Sequence, residues 1–138
     1  MSLTEITNQD PEKYKPYSLT VNFKENTLTS DKKQFDRLQA ILRENTELHS
    51  GTPTLGYLIA ILKEIDELNL VDLPDKQILV LLAAQERITD NDSVLRFIKR
   101  HEFIEVEKIP KAQHEILIEK ENIRRKALSL MHTFLKAS

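Results

Sequence analysis

Apolar and polar residues alternate without a break from Tyr17 to Lys24. Tyr17, Leu19, Val21 and Phe23 share one face, and Ser18, Thr20, Asn22 and Lys24 share the other. A period of two built on aromatic, β-branched and leucine residues predicts a β-strand over 17–24. Pro16 suits the residue that opens such a strand. One strand cannot satisfy its own backbone groups, so this one needs a partner strand in the same chain or in a second copy.

Downstream the period lengthens to that of a helix. Phe35, Leu38, Ile41 and Leu42 predict a helix over about 31–47, capped by Ser30 or Thr29 with Asp31 in its first turn. After the break at Gly51, Thr52 is the expected cap and Pro53 the first residue of a helix over about 52–69. Its stripe is Leu55, Leu58, Ile59, Leu62, Ile65 and Leu68. The run Ile78 to Ala84 is apolar on every side, which predicts a central helix over 75–87. The polar run Thr89 to Asp92 reads as a turn and cap before a short helix over 93–101. Phe103 to Ile109 reads equally as a short strand or an extended connector. Ile116, Ile123, Ala127, Leu130 and Phe134 then follow a heptad-like spacing, with Lys120 at the intervening position, and predict a last helix over about 111–136.

These elements predict a mainly α protein. The expected architecture is a compact bundle of about five helices around residues 75–87, with one N-terminal β-strand and the option of a second near 103–109. Residues 1–12 read as a mobile polar tail, and 13–138 as a single helical domain. At 138 residues a chain buries roughly two-thirds of its extended surface and needs no covalent staple.

Composition narrows the chemistry. No cysteine means no disulfide, no thiolate metal site and no cysteine nucleophile, which suits a reducing, cytoplasmic setting. Two glycines leave no Gly-rich phosphate loop. The polar, acidic first fifteen residues do not read as a signal peptide, and no apolar run is long enough to cross a bilayer. His49, His101, His114 and His132 form no closely spaced metal-binding pair, and they read as surface or helix-end residues. The segment from Asp90 to Ser93 lacks the Gly and Glu that a calcium loop needs. Glu64, Asp66 and Glu67 lie outside an apolar stripe and read as a solvated face. No serine sits in a nucleophile-elbow pattern. The expectation is therefore no catalytic residue, no cofactor and no metal.

What remains is binding. A strand in need of a partner and a long amphipathic last helix predict a small non-enzymatic regulator acting through protein–protein contacts, as a homodimer and with a further protein partner, but not with a membrane. Leu19, Val21, Phe23, Ile116, Ile123 and Leu130 are its expected interface.

The order strand, helix, break, helix across residues 17 to 69 resembles the ribbon-helix-helix family of DNA-binding regulators. The resemblance implies an alternative in which the strands of two chains pair. Ser18, Thr20, Asn22 and Lys24 would then enter the major groove, and Thr52 would hold a phosphate. The linkers before Asp31 and Thr52 are longer than that family's. The charge also opposes it, since residues 1–72 carry 8 Lys and Arg against 12 Asp and Glu. The basic residues Arg96, Lys99, Arg100, Arg124, Arg125 and Lys126 lie elsewhere. A helix-turn-helix from residues 75–87 and 93–101 is the remaining variant, with little polar face for bases.

Overall fold

The structure is a computed structural model that describes residue 19 and residues 21–49, 53–68, 70, 71, 73 and 76–137. The expected tail at 1–12 lies outside the described residues, as do Ser18, Thr20 and Thr52. The described elements are helices α1 (Lys32–Glu44), α2 (Leu55–Leu68), α3 (Asn91–Ile98) and α4 (Glu121–Ala137), with strands β1 (Ile78–Ala83) and β2 (Ile104–Ile109). Single 3-10 turns lie at Thr46–Leu48 and Ile116–Ile118. The protein is mainly α. The chain divides into two compact units, residues 1–22 with 39–72, and residues 23–38 with 73–138.

In the first unit, the Thr54 side chain caps α2: its hydroxyl accepts the Tyr57 N–H at 3.1 Å. Pro53 therefore precedes the cap. Every residue of α2 is exposed, including the apolar stripe expected to face a core. The helix before it ends at Glu44, and His49 Nε2 sits 2.5 Å from the Leu42 carbonyl. Among the described residues no helix is long and apolar enough to cross a membrane.

The second unit holds the main correction to the five-helix bundle. Residues 75–87 do not form a central helix; their apolar run is β1, which pairs in parallel with β2 in the register Ile78↔Ile104 to Ala83↔Ile109. The physical reason is length and shape. Seven apolar residues are too few for a helix of ordinary length but ample for a strand, and Ile78 and Val80 favour the extended chain. A parallel strand with apolar side chains on both faces produces the same all-round apolar pattern as a buried helix. β2 settles the ambiguity at 103–109 in favour of a strand. The connection between the two strands crosses over through α3, which gives a β-α-β unit.

Among the described residues of 17–24, the expected strand does not form. Leu19 is helical, Val21 and Asn22 are irregular, and Phe23 to Glu25 make a turn. Alternation alone gives a strand nothing to bond to. Here local contacts win: Phe23 stacks at 5.6 Å on the buried Phe35, and Asn26 gathers the turn through bonds to the carbonyls of Phe23 and Thr29. Asp31, not Ser30 or Thr29, caps α1, accepting the N–H groups of Lys33 and Gln34.

The last helix starts at Glu121, ten residues later than its heptad spacing suggests. Ile123, Ala127 and Leu130 form its inward stripe. They pack on Ala83 of β1, Ile109 of β2 and Ala112 to make the core, with Leu81 and Ile116 at its edge. The turn after β2 bends through Lys111, whose φ of 62° lies in the left-handed region. A side chain there is strained by about 1 kcal/mol. Lys111→Gly should therefore raise stability by about 1 kcal/mol, read as a higher urea midpoint. A lower midpoint would contradict that account.

Candidate active site

The parallel register brings the C-terminal ends of β1 and β2 level, and the two turns that leave them are laced together. The Ala84 N–H donates to the Ile109 carbonyl at 3.1 Å, and the Gln85 N–H to the Ala112 carbonyl at 2.8 Å. Asn91, in the first turn of α3, donates from its side chain to the Ala83 carbonyl at 2.9 Å. Asp90 caps α3 by accepting the Asp92 N–H, and the Ser93 hydroxyl also donates to it. These bonds fix the β1 turn from both sides.

Glu86 rides on that turn and His114 on the turn after β2. Glu86 Oε2 lies 2.9 Å from His114 Nδ1. The carboxylate side chain is only 7% exposed and the imidazole 29%. Glu86 Oε1 accepts three backbone N–H groups, from Arg87 at 2.9 Å, Ile88 at 2.7 Å and Thr89 at 3.2 Å. Burial is the largest single influence on this carboxyl and pushes its pKa up. The Ile88 N–H, the His114 ring and the Thr89 and Arg87 N–H groups together outweigh it and hold the pKa down to about 2.

The protonation state fixes the tautomer. An ionised carboxylate only accepts, so the proton in this contact belongs to His114 Nδ1. The Nε2 lone pair is then left to take a proton from another group. A buried acid placed in this way holds the half-exposed imidazole in one orientation, with Nε2 turned away from the contact. Among the described residues no serine is hydrogen-bonded to His114. Ser30 donates to Glu119 and Ser93 to Asp90. No three His, Asp or Glu side chains among the described residues are arranged to hold a metal ion.

The backbone of His114 is also held. Its N–H reaches the Thr27 carbonyl at 3.4 Å, and the Glu115 N–H reaches the Leu28 carbonyl at 2.8 Å. His114 therefore sits on an irregular turn and not on the last helix. Of the other histidines, His49 lies before α2, His132 is exposed on α4, and His101 packs between the rings of Phe97 and Phe103.

The Glu86–His114 contact uses none of the residues singled out from sequence. Asn22 and Lys24 are exposed, on an irregular segment and a turn. Leu19 is half-buried on a helical residue, Val21 is half-buried, and Phe23 packs on Phe35. Ile116, Ile123 and Leu130 pack in or against the chain's own core. Four of the six basic residues are engaged locally. Arg96 lies 3.6 Å from Asp90, Arg100 covers the Phe97 ring, Arg124 donates to the Glu119 carbonyl, and Arg125 pairs with Glu121.

The chain is 32% identical over 111 residues to a protein of Haemophilus influenzae named as a probable lysophospholipase L2. The match covers 80% of this chain and 36% of that protein, so the chain spans little more than a third of its relative's length. No family model matches the chain, and no solved structure matches it significantly. The similarity to a protein named as an enzyme overturns the expectation of a non-enzymatic regulator, in its protein-binding and its DNA-binding forms alike. The geometry gives the correction a physical basis. The strand expected to form a DNA-reading ribbon is absent from its described residues, and the half of the helix-turn-helix expected at 75–87 is β1.

Proposed function

We propose that this chain supplies the acid and the base of an ester hydrolase acting on lysophospholipids. The observation that carries the reading is the 2.9 Å contact between Glu86 and His114 on the turns that leave two adjacent parallel strands. The chain order, acid and then histidine, agrees with the order nucleophile, acid, histidine that recurs in α/β-hydrolases. The name of the Haemophilus influenzae relative supplies the substrate class.

In this reading His114 Nε2 takes the proton of an attacking hydroxyl. The hydroxyl oxygen bonds to the acyl carbon, and the glycerol oxygen leaves with the proton from His114. Water then releases the fatty acid by the same path in reverse. Glu86 holds the imidazole in the productive tautomer and stabilises its charge when protonated. No G-x-S-x-G occurs in these 138 residues, so the test must locate the hydroxyl as well as the activity.

The protein is purified under native conditions with everything bound to it and given a lysophosphatidylcholine. Release of free fatty acid is measured, and a fluorophosphonate probe followed by mass spectrometry finds the reactive serine. Hydrolysis with one labelled serine is expected, and His114→Ala should lower the rate by about 10⁶-fold. A native sample that neither releases fatty acid nor takes the probe would refute the reading.

A further inference from the structure

Glu119 is fully buried, yet its carboxylate makes no ion pair with Lys or Arg among the described residues. It is held instead by four donors from three segments. Oε1 accepts the Ser30 N–H at 3.0 Å and the Gln113 N–H at 2.8 Å. Oε2 accepts the Ser30 hydroxyl at 2.6 Å and the Lys120 N–H at 3.2 Å. An ionised carboxylate in a core is a costly way to add stability, even when its hydrogen bonds are strong. Its position shows what it secures. Gln113 is the residue before His114. Ser30 ends the segment whose Thr27 and Leu28 carbonyls receive the N–H groups of His114 and Glu115. Thr29, fully buried, adds a bond from its hydroxyl to the Ile118 carbonyl at 2.9 Å. The histidine-bearing turn and the segment that braces it meet on one side chain.

We infer that Glu119 is a positioning residue for His114: by clamping the Gln113 N–H and Ser30 at once, it fixes the turn on which the imidazole sits and so its contact with Glu86. The inference rests on the reading of His114 as the base. It predicts a graded response to substitution. In Glu119→Gln the amide oxygen keeps both Oε1 bonds and the amide nitrogen donates to the Ser30 hydroxyl, so only the Lys120 N–H loses its acceptor. Glu119→Ala loses all four. Glu119→Asp keeps the charge but withdraws it by one methylene, so it cannot reach Ser30 and Gln113 together.

The test is nitrogen-15 NMR of the full chain, following the His114 Nδ1–H resonance and its exchange with water, with thermal unfolding as the check on folding. A native-like signal is expected for Glu119→Gln. Exchange about tenfold faster, roughly the factor a lost hydrogen bond is worth, is expected for Glu119→Ala and Glu119→Asp. If Glu119→Ala does not fold, Glu119→Asp against Glu119→Gln decides. An Nδ1–H signal unchanged in folded Glu119→Asp would overturn the proposal. Because this readout needs no substrate, a wild-type protein that shows the signal but hydrolyses nothing would refute the enzymatic reading alone.

Discussion

Glu86→Gln should leave the fold intact and lower the proposed ester hydrolysis by about 10⁴-fold, the loss seen when the acid of a Ser-His-Asp triad becomes an amide. The structure gives the reason. Glu86 needs acceptors at both oxygens: Oε1 faces three backbone N–H groups and Oε2 faces His114 Nδ1. An amide has only one oxygen. Turned toward the backbone, it presents an N–H to Nδ1 and drives the ring into the tautomer whose Nε2 carries the proton and cannot act as a base. Turned toward the ring, it sets an amide N–H against three backbone donors, which is costly in a buried site. Nitrogen-15 shifts of the imidazole should therefore show the Nε2–H tautomer, while kcat falls far more than KM rises. A variant that retains the Nδ1–H tautomer and the full rate would sink this account.

The same carboxylate sets a pH dependence of known sign. Its pKa is depressed from 4.5 to about 2 in the folded protein. Its contribution to stability is thus complete above about pH 4.5 and disappears as the pH falls through about 2. The stability difference between wild type and Glu86→Gln should narrow over that interval, as followed by urea unfolding at a series of pH values.

Ile109→Ala should have the largest effect on stability, a loss of about 3–4 kcal/mol. Ile109 is fully buried, and its neighbours in the core include three alanines, Ala83, Ala112 and Ala127. Side chains that small cannot swing in to fill the space, so the cavity persists. Ile109→Val removes one methyl and should cost only about 1 kcal/mol. Urea midpoints at unchanged m-value would measure both. Equal midpoints for the two variants would show that the core collapses around the gap.

How much of this was legible in the sequence depends on the element. The helical faces containing Phe35 and containing Ile123, Ala127 and Leu130 were readable, because one side of each is buried and a period near 3.6 leaves its mark. The sequence predicts a helix in place of β1 because a strand covered on both faces carries no period of two. That error also concealed the site. Once residues 75–87 are taken as a helix, Glu86 becomes one more charged residue near its end, and nothing draws attention to the turn. His114 was swept into the last helix by Ile116, whose spacing to Ile123 fits a heptad although it sits on a 3-10 turn. One signal was available: an apolar strand-like run, then a turn bearing an acid, a capped helix, a second strand and a turn bearing a histidine. Glu119 left no such trace, since its role depends on Ser30, 89 positions earlier in the chain.

Ala83 is level with Ile109, and the turns that carry the acid and the histidine both depart from that level. The spacing of the two groups is thereby measured along the strands and not along the chain between them. Residues could be added or removed at the far end of the crossover, between α3 and β2, without changing the distance from Glu86 to His114. A single residue inserted within either strand would move one group past the other by about 3.3 Å, farther than a hydrogen bond can stretch. In the crossover, length is free to drift while the chemistry stays in place; in the strands it is not.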